Sequence, residues 1–287
     1  MRVLITGSSG LLGSTIARQL SISHETVGVD LVPGLWTQHV MSIKNEDALS
    51  HVVRGVDTIV HTASLHQPQV AIHSRDAFIA TNVTATLNLL EAAAQAGVRR
   101  FVYTSTTSVY GHAMHSRKQA VWVTEALQPR ARDIYDHTKL SAESLCRHFA
   151  LNRGLPTICL RVARFFSQSP SLVAQYRLYR GVDVRDAAAA HVLALTNQDI
   201  AFDIFNISAR SPFYEKDMPT LLRDAPSVIR EREPEVLQAF ARFGWRFPSH
   251  IDRVYVIEKA ERYLGYHPDY NFWHYIHALS TNASPNS

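Results

Sequence analysis

Tyr135 and Lys139 stand four residues apart in the run Tyr-Asp-His-Thr-Lys. On a helix that spacing puts a phenol and an ammonium on one face. A cation beside a tyrosine favours the phenolate and lowers its pKa. Bringing a phenol from its ordinary value near ~10 down to ~7 takes roughly 4 kcal/mol of differential stabilisation. The result would be a general base able to take the proton of an alcohol at neutral pH. Tyr-x-x-x-Lys arises often by chance, so the pair gains its weight from the elements that position it.

The chain opens with such an element. Arg2 to Thr6 reads as a short buried strand, Leu11 to Leu20 as a helix, and Gly7, Gly10 and Gly13 fall between and into them at three-residue spacing. Strand, glycine turn, helix is the context of a dinucleotide site. The first glycine permits the tight turn. The second lets backbone approach a pyrophosphate at the helix N-terminus, and Gly13 lets the helix pack closely on the strand. The spacing is G-x-x-G-x-x-G rather than the commoner G-x-G-x-x-G. Asp30 ends the next apolar strand, 17 residues beyond Gly13. A carboxylate there accepts hydrogen bonds from ribose hydroxyls and repels a 2′-phosphate. No lysine or arginine follows it before Lys44, so NAD is expected over NADP.

Further along, strands are expected at 57–62, 99–104, 156–161 and 202–207. Helices are expected at 75–96, 135–152 and 186–196. Such alternation specifies an α/β fold, a doubly wound parallel sheet with ligands at the strand C-terminal ends. After Ser208 prolines punctuate short helices, which reads as a small C-terminal substrate lobe. The expected division is 1–165 plus 182–208 for the dinucleotide-binding domain and 166–181 plus 209–279 for the lobe. Residues 280–287 are polar and expected to be disordered.

Composition sets bounds. The chain has 287 residues, 46% hydrophobic and 19% charged, which is ordinary for a globular protein. It lacks an apolar run long enough to span a membrane. A strand beginning at residue 2 leaves no room for a signal peptide. Cys146 and Cys159 read as buried small hydrophobes in a reducing compartment, so a cytoplasmic protein is expected. No metal is expected, because the 15 histidines form no metal-ligating set. Net charge is +4, but without basic runs or basic–aromatic interleaving nucleic acid is not an expected partner. The mild excess of arginine suits anionic small ligands.

Taken in order, these motifs resemble the extended short-chain dehydrogenase/reductase family, in its NAD-dependent epimerase/dehydratase branch. The resemblance runs from residue 2 to about 275. It rests on the glycine motif, Asp30, His61-Thr62-Ala63-Ser64, Asn82 within Thr-Asn-Val-Thr-Ala-Thr-Leu-Asn-Leu-Leu-Glu-Ala-Ala, and Tyr103 to Gly111. The Tyr135/Lys139 pair, Val182 to Asp186, and Ala260 to Tyr266 complete it. It implies a Rossmann fold and a homodimer in which helices 75–96 and 135–152 pair, with Leu87, Leu90, Leu140 and Leu145 serving that seam or the core. It also implies Thr106 as the hydroxyl that steadies a substrate oxygen, with Ser105 and Thr107 as the alternatives in the same run. Lys139 would bond the nicotinamide ribose. The implied cofactor set is Gly7, Ser9, Gly10, Leu11, Gly13, Asp30, Leu31, Ser42, Ile43, Thr62, Ala63, Ser64, Asn82, Thr104, Tyr135, Lys139 and Val162.

The implied reaction is hydride transfer between NAD and a secondary alcohol of a sugar-type substrate, as epimerase or dehydrogenase. Family dehydratases carry Thr-Asp-Glu where this chain has Thr106-Thr107-Ser108, so dehydration by that route is not expected. Arg164 falls where the family has a substrate-facing asparagine. It reads either as a clamp for a carboxylate or phosphate or as a member of a surface ion pair. Only 15 residues, 167–181, follow before the Val182 junction. The family's nucleotide-sugar enzymes use several tens there, so a smaller sugar, uronate or hydroxy-acid-like substrate enters consideration. His66, Gln67, Thr107, Arg164 and Arg180 are the substrate candidates, with Tyr176 and Arg177 beside them in the short insert. The alternatives are an NADP-linked reductase of a small ketone or aldehyde, which Asp30 opposes, and a non-catalytic dinucleotide sensor, which the retained Tyr135 and Lys139 oppose.

Overall fold

The computed structural model describes residues 1–166 and 168–282. Its strands are β1 (Arg2–Thr6), β2 (Glu25–Asp30), β3 (His39–Val40), β4 (Thr58–His61), β5 (Arg100–Thr106), β6 (Val121–Val123), β7 (Thr157–Val162), β8 (Phe202–Ile207) and β9 (Arg253–Tyr255). Seven form one sheet in the order β3-β2-β1-β4-β5-β7-β8. β1 runs parallel to β2 and β4, β3 parallel to β2, and β5 parallel to β4. The chain steps outward from β1 through β2 to β3, then restarts on the other side at β4. That reversal is a switch point, where strand ends splay and a ligand crevice opens. It places the ends of β1 and β4, at Thr6 and His61, at the centre of the arrangement.

The helices are α1 (Leu11–Leu20), α2 (Glu46–Val52), α3 (Arg75–Ile79), α4 (Ala85–Gln95), α5 (Ile134–Asn152), α6 (Pro170–Tyr179), α7 (Val184–Thr196), α8 (Met218–Leu221), α9 (Ala225–Arg232), α10 (Glu235–Arg242), α11 (Glu258–Leu264) and α12 (Phe272–Asn282). Local chemistry starts several of them. Asn45, Ser74 and Asp133 cap α2, α3 and α5, each accepting a backbone N–H three residues on. The single helix expected over 75–96 differs in one respect. A π-helical turn, Ala80–Thr84, lies between α3 and α4 and carries Asn82. The extra backbone residue turns Asn82 inward, which a strict 3.6-residue period does not foretell. Three residues of the expected disordered tail, 280–282, end α12; 283–287 lie outside the described residues.

Two compact units are present: 1–109, 131–161 and 187–205 in one, and 110–130, 162–186 and 206 onward in the other. The first has a core of strand and helix residues, among them Leu4, Val29, Ile59, Leu89, Leu90, Phe101, Tyr103 and Phe149. β1, β4 and β7 are buried along nearly their whole length, as parallel strands covered on both faces must be. The second unit is aromatic, with Phe213, Phe240, Trp245, Phe247 and Phe272 packed together. Its β6 pairs with β9, across more than a hundred residues, and so groups residues 110–130 with the C-terminal part.

Candidate active site

The glycine turn is fixed by sterics. Gly7 has φ +75°, and a Cβ there would lie 2.5 Å from Thr62 Oγ1 and 2.9 Å from Ala63 N. A Cβ on Gly13 would lie 2.1 Å from the Gly7 carbonyl oxygen. Bare backbone is thus required where β1, β4 and α1 converge. Gly10 is the extended N-cap of α1 and uses no side-chain cap. The turn leaves the first α1 N–H groups to an anion, and pyrophosphate suits that cradle.

Asp30 is held against this turn. Its carboxylate accepts the Ser9 N–H at 2.9 Å and the Val32 N–H at 3.3 Å. The Ser9 hydroxyl donates to the Val32 carbonyl at 2.8 Å, and Ser8 and Ser9 both meet the Thr37 hydroxyl. Leu11 and Leu31 are exposed beside the turn. Thr62 donates to the Thr6 carbonyl at 2.7 Å, and Ala63 N–H donates to the Thr6 hydroxyl at 3.3 Å. Ser42 and Ser64 are half-buried, whereas Ile43 is part of the first unit's core.

Helix α5 presents Tyr135 and Lys139 on one buried face, 8% and 3% exposed. Lys139 Nζ donates to the Thr104 carbonyl at 2.6 Å and sits 4.5 Å from the centre of the Tyr103 ring. The Thr106 side chain lies close enough to the Tyr135 phenol to favour its ionised form. The phenol's acidity runs against the expectation from sequence. Burial pushes the phenol above its ordinary value, Thr106 opposes this, and Asp136 and Asp133 reinforce it. Burial lowers Lys139 to about 8, with Glu143 the leading opposing influence. Desolvation of the buried phenol is the largest influence on it, and a four-residue spacing does not reveal desolvation.

Glu143 was not a sequence candidate, yet it continues the same face. It forms a buried pair with Arg161 of β7 at 2.7 Å and accepts the Ser105 hydroxyl at 2.5 Å. A continued four-residue spacing from Tyr135 through Lys139 was its available signal. Arg161 announces nothing locally, and Ser105, an alternative to Thr106 in the sequence, turns its hydroxyl to Glu143. The buried His191 is another unforeseen contributor, joined to the Thr104 hydroxyl at 2.8 Å.

The remaining candidates of this unit are placed as follows. Asn82 is 1% exposed and fully engaged, accepting the Leu65 N–H and donating to the Leu65 carbonyl and the Thr138 hydroxyl. It ties the loop after β4 to α5. His66 is half-buried at the start of a short 3-10 turn, Gln67–Ala71, where its N–H donates to Gln69 at 2.9 Å. Burial lowers its pKa, and Lys139 adds to that effect. Gln67 is exposed and Thr107 is buried. His61 lies between the hydroxyls of Thr6 and Thr86, and burial lowers it to about 3, so it is neutral. Cys146 and Cys159 are buried and free.

Val162, Arg164 and Arg180 belong to the second unit. Val162 is buried there. The Arg164 carbonyl accepts the Val182 N–H at 3.0 Å, and its side chain is exposed. Arg180 stacks over the Tyr176 ring at 4.1 Å. Arg177 is 7% exposed and pairs with Asp183 at 2.8 Å, while its Nη1 is buried without a partner. Arg177 lines a recess with Arg164, Phe165, Phe166 and Tyr176. No three His, Cys, Asp or Glu side chains among the described residues are grouped to hold a metal. No described helix is long and apolar enough to cross a membrane.

Comparison with known proteins agrees with this geometry. A family profile described as NAD dependent epimerase/dehydratase family matches residues 3–179. A 3-beta-hydroxysteroid dehydrogenase of Mycolicibacterium neoaurum is 33% identical over 56% of this chain and 46% of its own length. GDP-mannose 3,5-epimerase 1 of Oryza sativa subsp. japonica is 30% identical over 80% of this chain and 63% of its own. The chain spans about half the length of the curated relatives it matches. A short-chain dehydrogenase/reductase superfamily protein from Agrobacterium tumefaciens, solved with bound NAD, superposes with a TM-score of 0.75 at 23% identity, covering 98% of this chain and 96% of that one. That likeness establishes the shared fold.

Proposed function

Because the chain belongs to the NAD-dependent epimerase/dehydratase family, we propose that it transfers hydride between NAD and a secondary alcohol of a sugar-type substrate. The observation that carries this reading is the buried face of α5. There Tyr135, close to Thr106, and Lys139, bonded to the end of β5, share one helical side. The glycine cradle and Asp30 fit the dinucleotide, with Gly7, Ser9, Gly10 and Leu11 at its pyrophosphate, Asp30 at the adenosine ribose and Lys139 at the nicotinamide ribose. Bound NAD supplies the hydride acceptor and donor.

Tyr135 handles the proton at the reacting oxygen, and Thr106 steadies that oxygen. Burial leaves the phenol protonated. The arrangement is therefore set as a proton donor to a carbonyl. Running it as a base needs the phenol's pKa brought down, which a nearby positive charge does. Oxidation and reduction by the same groups is what an epimerase requires, and one direction alone makes a dehydrogenase.

The arginine recess of the second unit favours an acidic substrate, such as a uronate or sugar phosphate. Arg164 lines that recess with an exposed side chain, and a guanidinium there can clamp a carboxylate or phosphate. The test is a screen of purified protein with NAD against neutral sugars, uronates, sugar phosphates and nucleotide sugars, following NADH absorbance and product isomers. Net NADH identifies a dehydrogenase. Product isomer with catalytic NAD and no net NADH identifies an epimerase. Binding of NAD without turnover of any of these would refute the reading. A homodimer is part of the proposal: Leu87, Leu140 and Leu145 keep partial exposure while Leu90 is core. A monomer by light scattering would refute that part.

A further inference from the structure

Tyr135, Lys139 and Glu143 continue one spacing along α5, and all three are buried. A carboxylate takes no part in the proton transfer proposed above, and burying one is costly unless it is paired. Arg161 clamps it through Nε at 2.9 Å and Nη2 at 2.7 Å, and Ser105 donates to it at 2.5 Å. Thr104, next to Ser105 on β5, supplies the carbonyl that receives Lys139 Nζ. Adjacent residues of one strand thus hold adjacent turns of one helix.

We infer that Glu143 is a positioning residue for Lys139: its clamped carboxylate fixes the ammonium against Thr104 and the Tyr103 ring, and supplies the negative charge that a buried cation needs. This rests on the reading of Lys139 as the cation at the cofactor. Several groups face the lysine. Its own helix brings Glu143 and Cys146, β5 brings Tyr103, β7 brings Cys159, and His61 and His66 come from β4 and its loop, while Arg161 of β7 meets the carboxylate. Burial keeps Cys159 and Tyr103 protonated and His61 neutral. Glu143 is therefore the carboxylate of this set. Neutralising it leaves Lys139 and Arg161 as two buried cations. The lysine releases its proton first, because a guanidinium keeps its own.

The experiment uses the full chain with isotopically labelled lysine. The Lys139 signal, assigned with Lys139→Met, is titrated by NMR in wild type, Glu143→Gln and Glu143→Asp, and NAD affinity is measured by calorimetry over the same pH range. In Glu143→Gln the proton affinity of Lys139 falls about tenfold or more, and the pH above which NAD affinity declines moves down with it. Glu143→Asp, which keeps the charge, recovers most of the difference. Should Glu143→Gln fail to fold, Glu143→Gln/Arg161→Met removes both buried charges together. Its lysine binds the proton more weakly than that of Arg161→Met, the reference that shares the missing guanidinium. A Glu143→Gln lysine that titrates within about twofold of wild type, or a double-variant lysine within about twofold of Arg161→Met, overturns the inference. A shifted titration with unchanged NAD affinity upholds it and counts instead against Lys139 as a cofactor ligand.

Discussion

The glycine turn and the inner face of α5 lie in the same unit and solve different problems. The turn is fixed by absence: a Cβ on Gly13 would lie 2.1 Å from a backbone oxygen, so one residue type is required whatever surrounds it. The α5 face is fixed by partners. Tyr135, Lys139 and Glu143 owe their state to Thr106, Thr104 and Arg161, on strands distant in sequence. A steric requirement is written at the position itself, whereas an electrostatic one is shared across elements and shifts when any member changes.

Substitutions can break this comparison. The largest effect is expected for Tyr135→Phe, which should lower turnover by about 10²–10⁴-fold while leaving NAD affinity within a few-fold. Steady-state rates and calorimetry would show it, and a loss of NAD binding instead would make Tyr135 a structural residue. Next is Glu143→Ala, which leaves Arg161 unpaired inside the protein. Breaking a buried pair costs about 3–5 kcal/mol, measurable by urea unfolding. Gly7→Ala, at φ +75° and with Thr62 Oγ1 2.5 Å from the new Cβ, should add about 1–3 kcal/mol of overpacking to the backbone penalty of its conformation. Gly97→Ala is its control. Gly97 also has positive φ, but nothing lies within 4 Å of a Cβ there, so only the backbone penalty of about 1–2 kcal/mol remains. Equal costs at the two glycines would show that crowding is not what fixes the turn.

Two milder effects sharpen the contrast. Lys139 is lowered from 10.5 to about 8. Above pH 8 the folded protein loses the lysine charge, so NAD affinity should fall about tenfold per pH unit. Stability should move the opposite way. Between 8 and 10.5 the unfolded chain holds a proton that the folded chain has released, so this group's contribution to stability rises with pH. Chemical denaturation at several pH values, compared with Lys139→Met, would separate the two trends. Smallest is Asp30→Ala, which should weaken NAD by about two- to tenfold and narrow its preference over NADP. An unchanged preference would remove Asp30 from the ribose site.

Much of this was legible in the sequence. β1, α1 and β8 fall at their expected residues, and Tyr135 and Lys139 share a helix at the four-residue spacing that puts them on one face. Those features depend on local pattern: alternation, glycine spacing and caps. The π turn at Asn82 escaped because one extra backbone residue leaves the apolar pattern almost intact. The β6–β9 pair escaped because short strands far apart carry no mutual signal. The direction of the Tyr135 shift was misjudged for a related reason. Spacing shows that a lysine is near, but only the packed fold shows how completely water is excluded.

The most direct measurement is single-turnover mixing of the NAD-loaded protein with the panel of sugars and sugar acids, read at the NADH absorbance band, for wild type and Tyr135→Phe side by side. Formation of NADH by wild type, persistent or transient, and its suppression in the phenylalanine variant is the predicted result. Equal NADH formation by both proteins, or silence from wild type across the whole panel, would contradict the account.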